Sequence, residues 1–406
     1  MRNGRHRVSE VSTEVETPCL VFDEAQLHTS LEIVRKSVSN TPIELLYSMK
    51  ACSTTFVLEL IAKGVSGFSC SSVFEARLAR EVLPETASVH LTTPALAQAD
   101  VEQVATICDF VSFNSLRQAE RSQELLGDCT GRGLRVNPKL SLLSDERYDP
   151  CRRASKLGVP IECLEQIQRE DPEVLKGFDG LHVHTNCDSN RFTDLARTVD
   201  VLHSRLGSTL AHCAWLNLGG GYLFEELIDI SQLWLAVERL SKNYGLRIFL
   251  EPGAAFVRKC GSLVGSVVDL FESDGQKVAV LDTSVNHMPE VFEYQFEPGV
   301  LGHREGALHR YLLAGSTCLA GDIFGEYHFD ESLHIGSRLI FCDMGSYTLV
   351  KAHWFNGVPL PNVYSLSPSG VPTLQHRFSY NDFKLRQGGD RDATLRDNFK
   401  STLCTK

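Results

Sequence analysis

From about residue 24 to residue 252 the chain repeats one pattern of apolar and polar positions. A short apolar run is followed by a polar turn, then by a stretch with apolar residues three and four apart. The apolar runs are Glu44–Lys50, Val65–Cys70, Val89–Thr93, Phe110–Phe113, Gly133–Pro138, Gly180–Thr185, Trp215–Gly220 and Arg247–Pro252. Helical spacing lies between them, as in Thr54–Lys63, Val73–Glu81, Leu96–Ile107, Ser115–Leu126, Arg191–Leu206 and Ser231–Tyr244. Eight strand–helix units in roughly 230 residues match a (β/α)8 TIM barrel. A doubly wound sheet fits less well, because no Gly-rich turn follows the first strand.

Beyond Pro252 the pattern changes. Val257–Phe271, Lys277–Leu281, Tyr311–Leu313, Arg338–Phe341 and Thr348–Phe355 read as short strands between Gly, Pro, Asp and Asn turns. Thr17–Phe22 is also strand-like. The reading is an α/β chain: a barrel over 24–252, and a β-sandwich or barrel domain built from 253–406 that also takes the N-terminal strand within 1–23. The tail from about Tyr380 to Lys406 is polar and is expected to be irregular.

Composition narrows the function classes. With 43% hydrophobic and 22% charged residues the chain reads as an ordinary globular protein. No apolar run reaches the ~18 residues of a membrane span. Met1–Glu10 carries arginines with no apolar segment after them, so no signal peptide is expected and the cytoplasm is the expected compartment. The 13 cysteines include no C-x-x-C pair, so neither a zinc ribbon nor a disulfide framework is expected. A net charge of −11 argues against nucleic acid and permits a cationic substrate such as a polyamine.

In a TIM barrel the chemistry sits at the C-terminal ends of the strands. Lys50 ends the first strand, where it is either a solvated lysine or a Schiff-base former. Gly219-Gly220-Gly221 follows the seventh strand and Gly253 the eighth, positions that commonly bind phosphate through backbone N–H groups. A plain tight turn is the alternative. His182 and His184 share one face of the sixth strand. A metal pair, a ring stacked on a cofactor and a satisfied core histidine all fit that spacing. Glu251 stands where a carboxylate could pair with a protonated pyridine nitrogen, or serve as a structural ion pair. Cys318, among small residues, is a candidate proton donor.

Taken in order, these segments resemble the fold-type III pyridoxal-phosphate decarboxylases. The resemblance runs from about Thr17 to Pro361, and its nearest branch is carboxynorspermidine/carboxyspermidine decarboxylase. It is carried by Thr17-Pro18-Cys19, Ser48-Met49-Lys50-Ala51, Tyr148-Asp149-Pro150-Cys151, Leu281-Asp282-Thr283-Ser284, His287-Met288-Pro289-Glu290, Cys318-Leu319-Ala320-Gly321-Asp322 and Phe355-Asn356-Gly357. The resemblance implies that Lys50 forms the Schiff base with pyridoxal 5'-phosphate and that His184 stacks on its ring, which displaces the metal reading. Gly219, Gly220, Gly221, Gly253 and Tyr347 would bind the phosphate, and Glu251 would pair with the ring nitrogen. Arg135 and Glu75 would support the lysine and phosphate region. Cys318 would reach across a homodimer into the partner's site and protonate the product carbon. Asp282, Asp322 and Glu290 would bind the substrate's distal amine. The branch pattern is altered at Ser69, Ala254-Ala255, Tyr222 and Glu297, so a related substrate in natural-product or siderophore synthesis is an alternative. An amino-acid racemase and an inactive regulatory homologue are the others.

Overall fold

The computed structural model describes residues 4–126, 131–224 and 229–389. The chain divides into two compact units, one of Met1–Leu27 with Arg258–Lys406 and one of His28–Val257. The first strand, β1 (Cys19–Asp23), belongs to the former.

The second unit is a closed parallel barrel. Its strands are β2 (Ile43–Ser48), β3 (Gly67–Cys70), β4 (Ser88–Thr93), β5 (Phe110–Phe113), β6 (Gly131–Asn137), β8 (Gly180–Val183), β9 (Trp215–Asn217) and β10 (Arg247–Leu250), with the two-residue β7 (Val159–Pro160) beside β6. Each pairs in parallel with the next, and β10 returns to β2 to close the ring. Both faces of these strands are covered, so they read as continuous apolar runs rather than alternating ones. Inside the barrel Leu46, Trp215 and Phe249 form a core with Phe110. The aromatic rings meet edge to face, Phe110–Phe249 at 5.3 Å and Phe110–Trp215 at 5.5 Å. Helices Thr55–Ala62, Val73–Val82, Val101–Ile107, Leu116–Leu126, Thr193–Leu210 and Ile230–Tyr244 lie where apolar spacing placed them. Helices Glu24–Val38 and Ile161–Glu170 are additions to that reading.

The first unit is a mostly antiparallel sheet of eight strands. These are β1, β11 (Gly261–Ser273), β12 (Gln276–Leu281), β13 (His309–Ala314), β14 (Ile323–Phe329), β15 (Arg338–Phe341), β16 (Asn362–Leu366) and β17 (Pro372–His376). β1 is a central strand, antiparallel to β11 and parallel to β16, with all five residues buried. The N-terminal strand therefore completes this sheet. The helix Gly4–Val11 lays Val8 and Val11 against the core of Cys19, Val21, Val264, Ile340 and Leu366.

Two sequence expectations fail here. Thr348–Phe355 forms turns rather than a strand, with one 3-10 turn at Phe355–Gly357. Tyr347 and Asn356, at φ 55° and 54°, bend the backbone out of any extended path. Tyr380–Arg386 is a helix, because Ser379 and Asp382 close a capping box at its start. Residues 390–406 of the expected irregular tail lie outside the described residues.

Candidate active site

Strand β2 stops at Ser48, and Lys50 stands one step later in the 3-10 turn Met49–Ala51. Buried Met49 and Ala51 pin that turn on either side of the lysine. The Ser48 N–H donates to the Pro252 carbonyl at 3.1 Å. Gly253 lies so close that a Cβ there would stand 3.0 Å from the Ala51 Cβ. The loop after β10 is thus stitched to the turn carrying Lys50. The Lys50 side chain is exposed by area, yet burial among surrounding protein atoms is the first cause lowering its pKa. A side chain lining a concave mouth can be both. Arg135 lowers it further, while Glu251, Cys187 and Glu75 oppose. A less basic amine is more often neutral, the form that attacks a carbonyl carbon.

Glu251 follows β10 and is 7% exposed. Its Oε1 accepts from Asn217 Nδ2 at 2.7 Å, and His182 Nε2 lies 3.5 Å from its Oε2. Burial alone would raise this carboxyl's pKa, but His182, His184 and Asn217 together hold it below the ordinary range. His182 is itself pushed down by burial, with Glu251 opposing. The pair is best described as an ionised carboxylate beside a neutral imidazole.

His184 lies just past β8. Its Nδ1 accepts the Gly220 N–H at 3.0 Å, which leaves Nε2 to carry the proton. Burial first, then Lys50 and Arg135, drive its pKa well down. His182 addresses Glu251 and His184 addresses the glycine run, and among the described residues no group of three or more His, Cys, Asp or Glu is placed to hold a metal.

The glycine run is required by space. A Cβ on Gly220 would stand 2.1 Å from the Glu251 carbonyl oxygen, and one on Gly221 2.1 Å from that of Asn186. The three N–H groups of the run have different surroundings. Gly219 donates to Asn217 Oδ1 at 2.9 Å and Gly220 to His184, whereas the Gly221 N–H has no partner among the described residues. Glu75 is the third residue of the helix Val73–Val82. Its carboxylate accepts the Ser71 N–H at 2.6 Å and is raised by burial against the pull of Lys50. Arg135, on β6 in register with His182, is 9% exposed and lowered by burial, with Glu251 opposing. Asn217 escaped the sequence reading, although a polar residue between Leu216 and Leu218 in a buried strand was its signal.

The candidates in the β unit fare differently. Cys318 is exposed, and its N–H donates to Asn356 Oδ1 at 2.9 Å. Asp322 is 2% exposed and accepts from Ser284 Oγ, Val285 N, Thr317 N and Thr317 Oγ1. Three of these donors meet Oδ2 and one meets Oδ1, so the fold uses most of this carboxylate's acceptor capacity. Asp282 accepts from Thr17 Oγ1 at 2.6 Å and the Ser266 N–H at 2.8 Å, which ties the segment before β1 to β11. Glu290 is ion-paired with Lys351 at 3.2 Å. Tyr347 is half-buried in a left-handed turn.

The barrel mouth fits an aldehyde-bearing aromatic phosphate. It offers a lysine of lowered basicity, an ionised buried carboxylate and a backbone N–H that has no partner among the described residues, all on loops at one end of the strands. The family model for the pyridoxal-binding domain of pyridoxal-dependent decarboxylases matches residues 24–258. The chain belongs to this family, and pyridoxal phosphate is its cofactor. It is 31% identical to a carboxynorspermidine/carboxyspermidine decarboxylase of Campylobacter jejuni over 92% of this chain and 99% of that one. It is 34% identical to a carboxyaminopropylagmatine decarboxylase of Synechocystis, over 93% and 96%. The crystal structure of the Campylobacter jejuni carboxynorspermidine decarboxylase with norspermidine superposes at a TM-score of 0.82 with 29% identity, covering 92% of this chain and all of that one.

Proposed function

We propose that this chain removes the α-carboxylate of a carboxylated polyamine, releasing the amine and carbon dioxide. The arrangement of Glu251 near Lys50, held by Asn217, is the observation that carries the reading. Bound pyridoxal phosphate supplies a sink for the electron pair left by the departing carboxylate. Lys50 would hold the cofactor through its aldehyde. Glu251, ionised, keeps a proton on the ring nitrogen. His184, with its Nδ1 fixed by Gly220, presents a flat imidazole to the ring. Gly221 offers its N–H to the phosphate, a role that Gly253 and Tyr347 share, while Arg135 and Glu75 set the charge around Lys50. Cys318 protonates the product carbon in the partner's site of a homodimer, which acts in the cytoplasm. The net charge of −11 suits a polycationic substrate. Similarity to the carboxyaminopropylagmatine decarboxylase adds a guanidine-bearing substrate to the candidates.

The test is a turnover screen with carboxynorspermidine, carboxyspermidine, carboxyaminopropylagmatine, diaminopimelate, ornithine and lysine, following carbon dioxide and optical rotation together. Release of carbon dioxide from a carboxylated polyamine is expected. Racemisation without gas would replace this reading with a racemase. Lys50→Ala is expected to abolish the visible absorbance of lysine-bound cofactor, and an unchanged spectrum would remove Lys50 from its role.

A further inference from the structure

The loop Gly315–Asp322 joins β13 to β14 and is pinned along its length, the Ser316 N–H donating to the Thr283 carbonyl at 3.0 Å. At its end, Asp322 gathers the donors of Ser284, Val285 and Thr317. Through Thr317 that anchor reaches the residue just before the cysteine. At Cys318 itself the side chain is exposed, so packing does not fix it, and the backbone N–H is tied to Asn356 Oδ1 at 2.9 Å. Asn356 is exposed too, so burial does not explain an asparagine there. Its backbone is left-handed, at φ 54° and ψ 11°, a conformation asparagine tolerates better than other side-chain-bearing residues. The neighbouring Trp354 is held edge-on by Phe378 at 5.8 Å and Phe383 at 6.4 Å, with the Arg386 guanidinium 5.3 Å from its ring. Strained backbone persists where surroundings over-determine it, and it concentrates at functional sites.

We propose that Asn356 is a positioning residue for Cys318, aiming the thiol through the Cys318 N–H. The proposal rests on the reading of Cys318 as proton donor. In that step the Cα–carboxylate bond breaks and carbon dioxide leaves, while the electron pair stays with the substrate carbon. The S–H bond then breaks, its proton forms the new Cα–H bond, and the thiolate regains a proton from water. When the thiol is misaimed, the substrate carbon would go unprotonated by Cys318, and turnover would end in a carbonyl compound rather than the amine.

Three variants separate the hydrogen bond from the backbone. Asn356→Gly keeps the left-handed turn and loses the acceptor. Asn356→Asp keeps both, and Asn356→Ala loses both. The readout is the fraction of turnovers ending in the carbonyl product, using the fastest substrate of the screen, with cofactor absorbance and melting temperature as controls for folding. Asn356→Gly is expected to raise that fraction roughly 2–10-fold, the scale of one hydrogen bond, with Asn356→Asp near the parent. In a Cys318→Ala background the added Asn356→Gly change should have no further effect. Equal product ratios in the Gly, Asp and parent proteins overturn the proposal, as does an Asn356→Gly effect that survives in Cys318→Ala. A Cys318→Ala protein with the parent's product ratio overturns instead the reading of Cys318.

Discussion

Glu251 in the barrel and Asp322 in the β unit are both nearly sealed from solvent, at 7% and 2% exposure. Their hydrogen-bond inventories differ. Asp322 accepts from four donors, all within its own unit. Glu251 accepts from Asn217 at 2.7 Å and meets His182 at the longer distance of 3.5 Å. A saturated carboxylate has spent its acceptor capacity on the fold, whereas an unsaturated one keeps capacity for a ligand. Burial alone does not distinguish the two roles; counting donors does.

The largest effect that can break this contrast is on stability at Asp322. Asp322→Ala leaves four donors without an acceptor, at about 1–3 kcal/mol for each one that stays buried. A loss of at least ~3 kcal/mol in denaturant unfolding is expected. A change under ~1 kcal/mol would return Asp322 to the list of available ligands. Glu251→Gln should act on turnover. The amide still accepts from Asn217, so that hydrogen bond is kept. A charge-assisted hydrogen bond to the cofactor, worth about 1.5–3 kcal/mol, is lost, so kcat should fall roughly 10–150-fold.

The pH dependence sharpens the same point. Glu251 is held below the ordinary carboxyl range by His182, His184 and Asn217 against burial. A depressed carboxyl contributes stability that is fully present above its unfolded value, about 4.3, and is lost as pH falls toward the folded one. Acid unfolding of Glu251→Gln should therefore be flatter below about pH 4.3; an unchanged slope would mean the carboxylate is not so held. Smallest is Phe383→Ala, which loosens the aromatic bracket on Trp354. It should raise the abortive product fraction by less than Asn356→Gly does, measured in the same assay.

Legibility in the sequence follows the same division. Barrel strands are apolar on both faces and separated by helical spacing, so their number and order could be read directly. Lys50, His184, the glycines and Glu251 lie at strand ends, and the ring of eight strands brings those ends to one mouth. Asn217 was not legible because its partner Glu251 Oε1, 34 residues on, meets it only once β9 and β10 lie side by side. In the β unit, strands β14, β16 and β17 carry weaker patterns. Thr348–Phe355 looked extended because its aromatic and β-branched residues imitate a strand, while two left-handed residues set its true path. The donors around Asp322 and Asp282 were not legible either, because a carboxylate in a motif carries no mark of how many surround it.

Local sequence determined what depends on neighbours along the chain. That includes the alternation of strand and helix, the glycine positions, and the lysine after the first barrel strand. Tertiary structure decided what depends on partners far apart in sequence. It joined β1 to β11 and β16, lowered the Lys50 amine by surrounding it with protein, and placed Cys318 on the amide of Asn356, 38 residues away. Hydrogen bonds and desolvation act over a few ångströms of space, and the chain sets those distances only when it closes on itself.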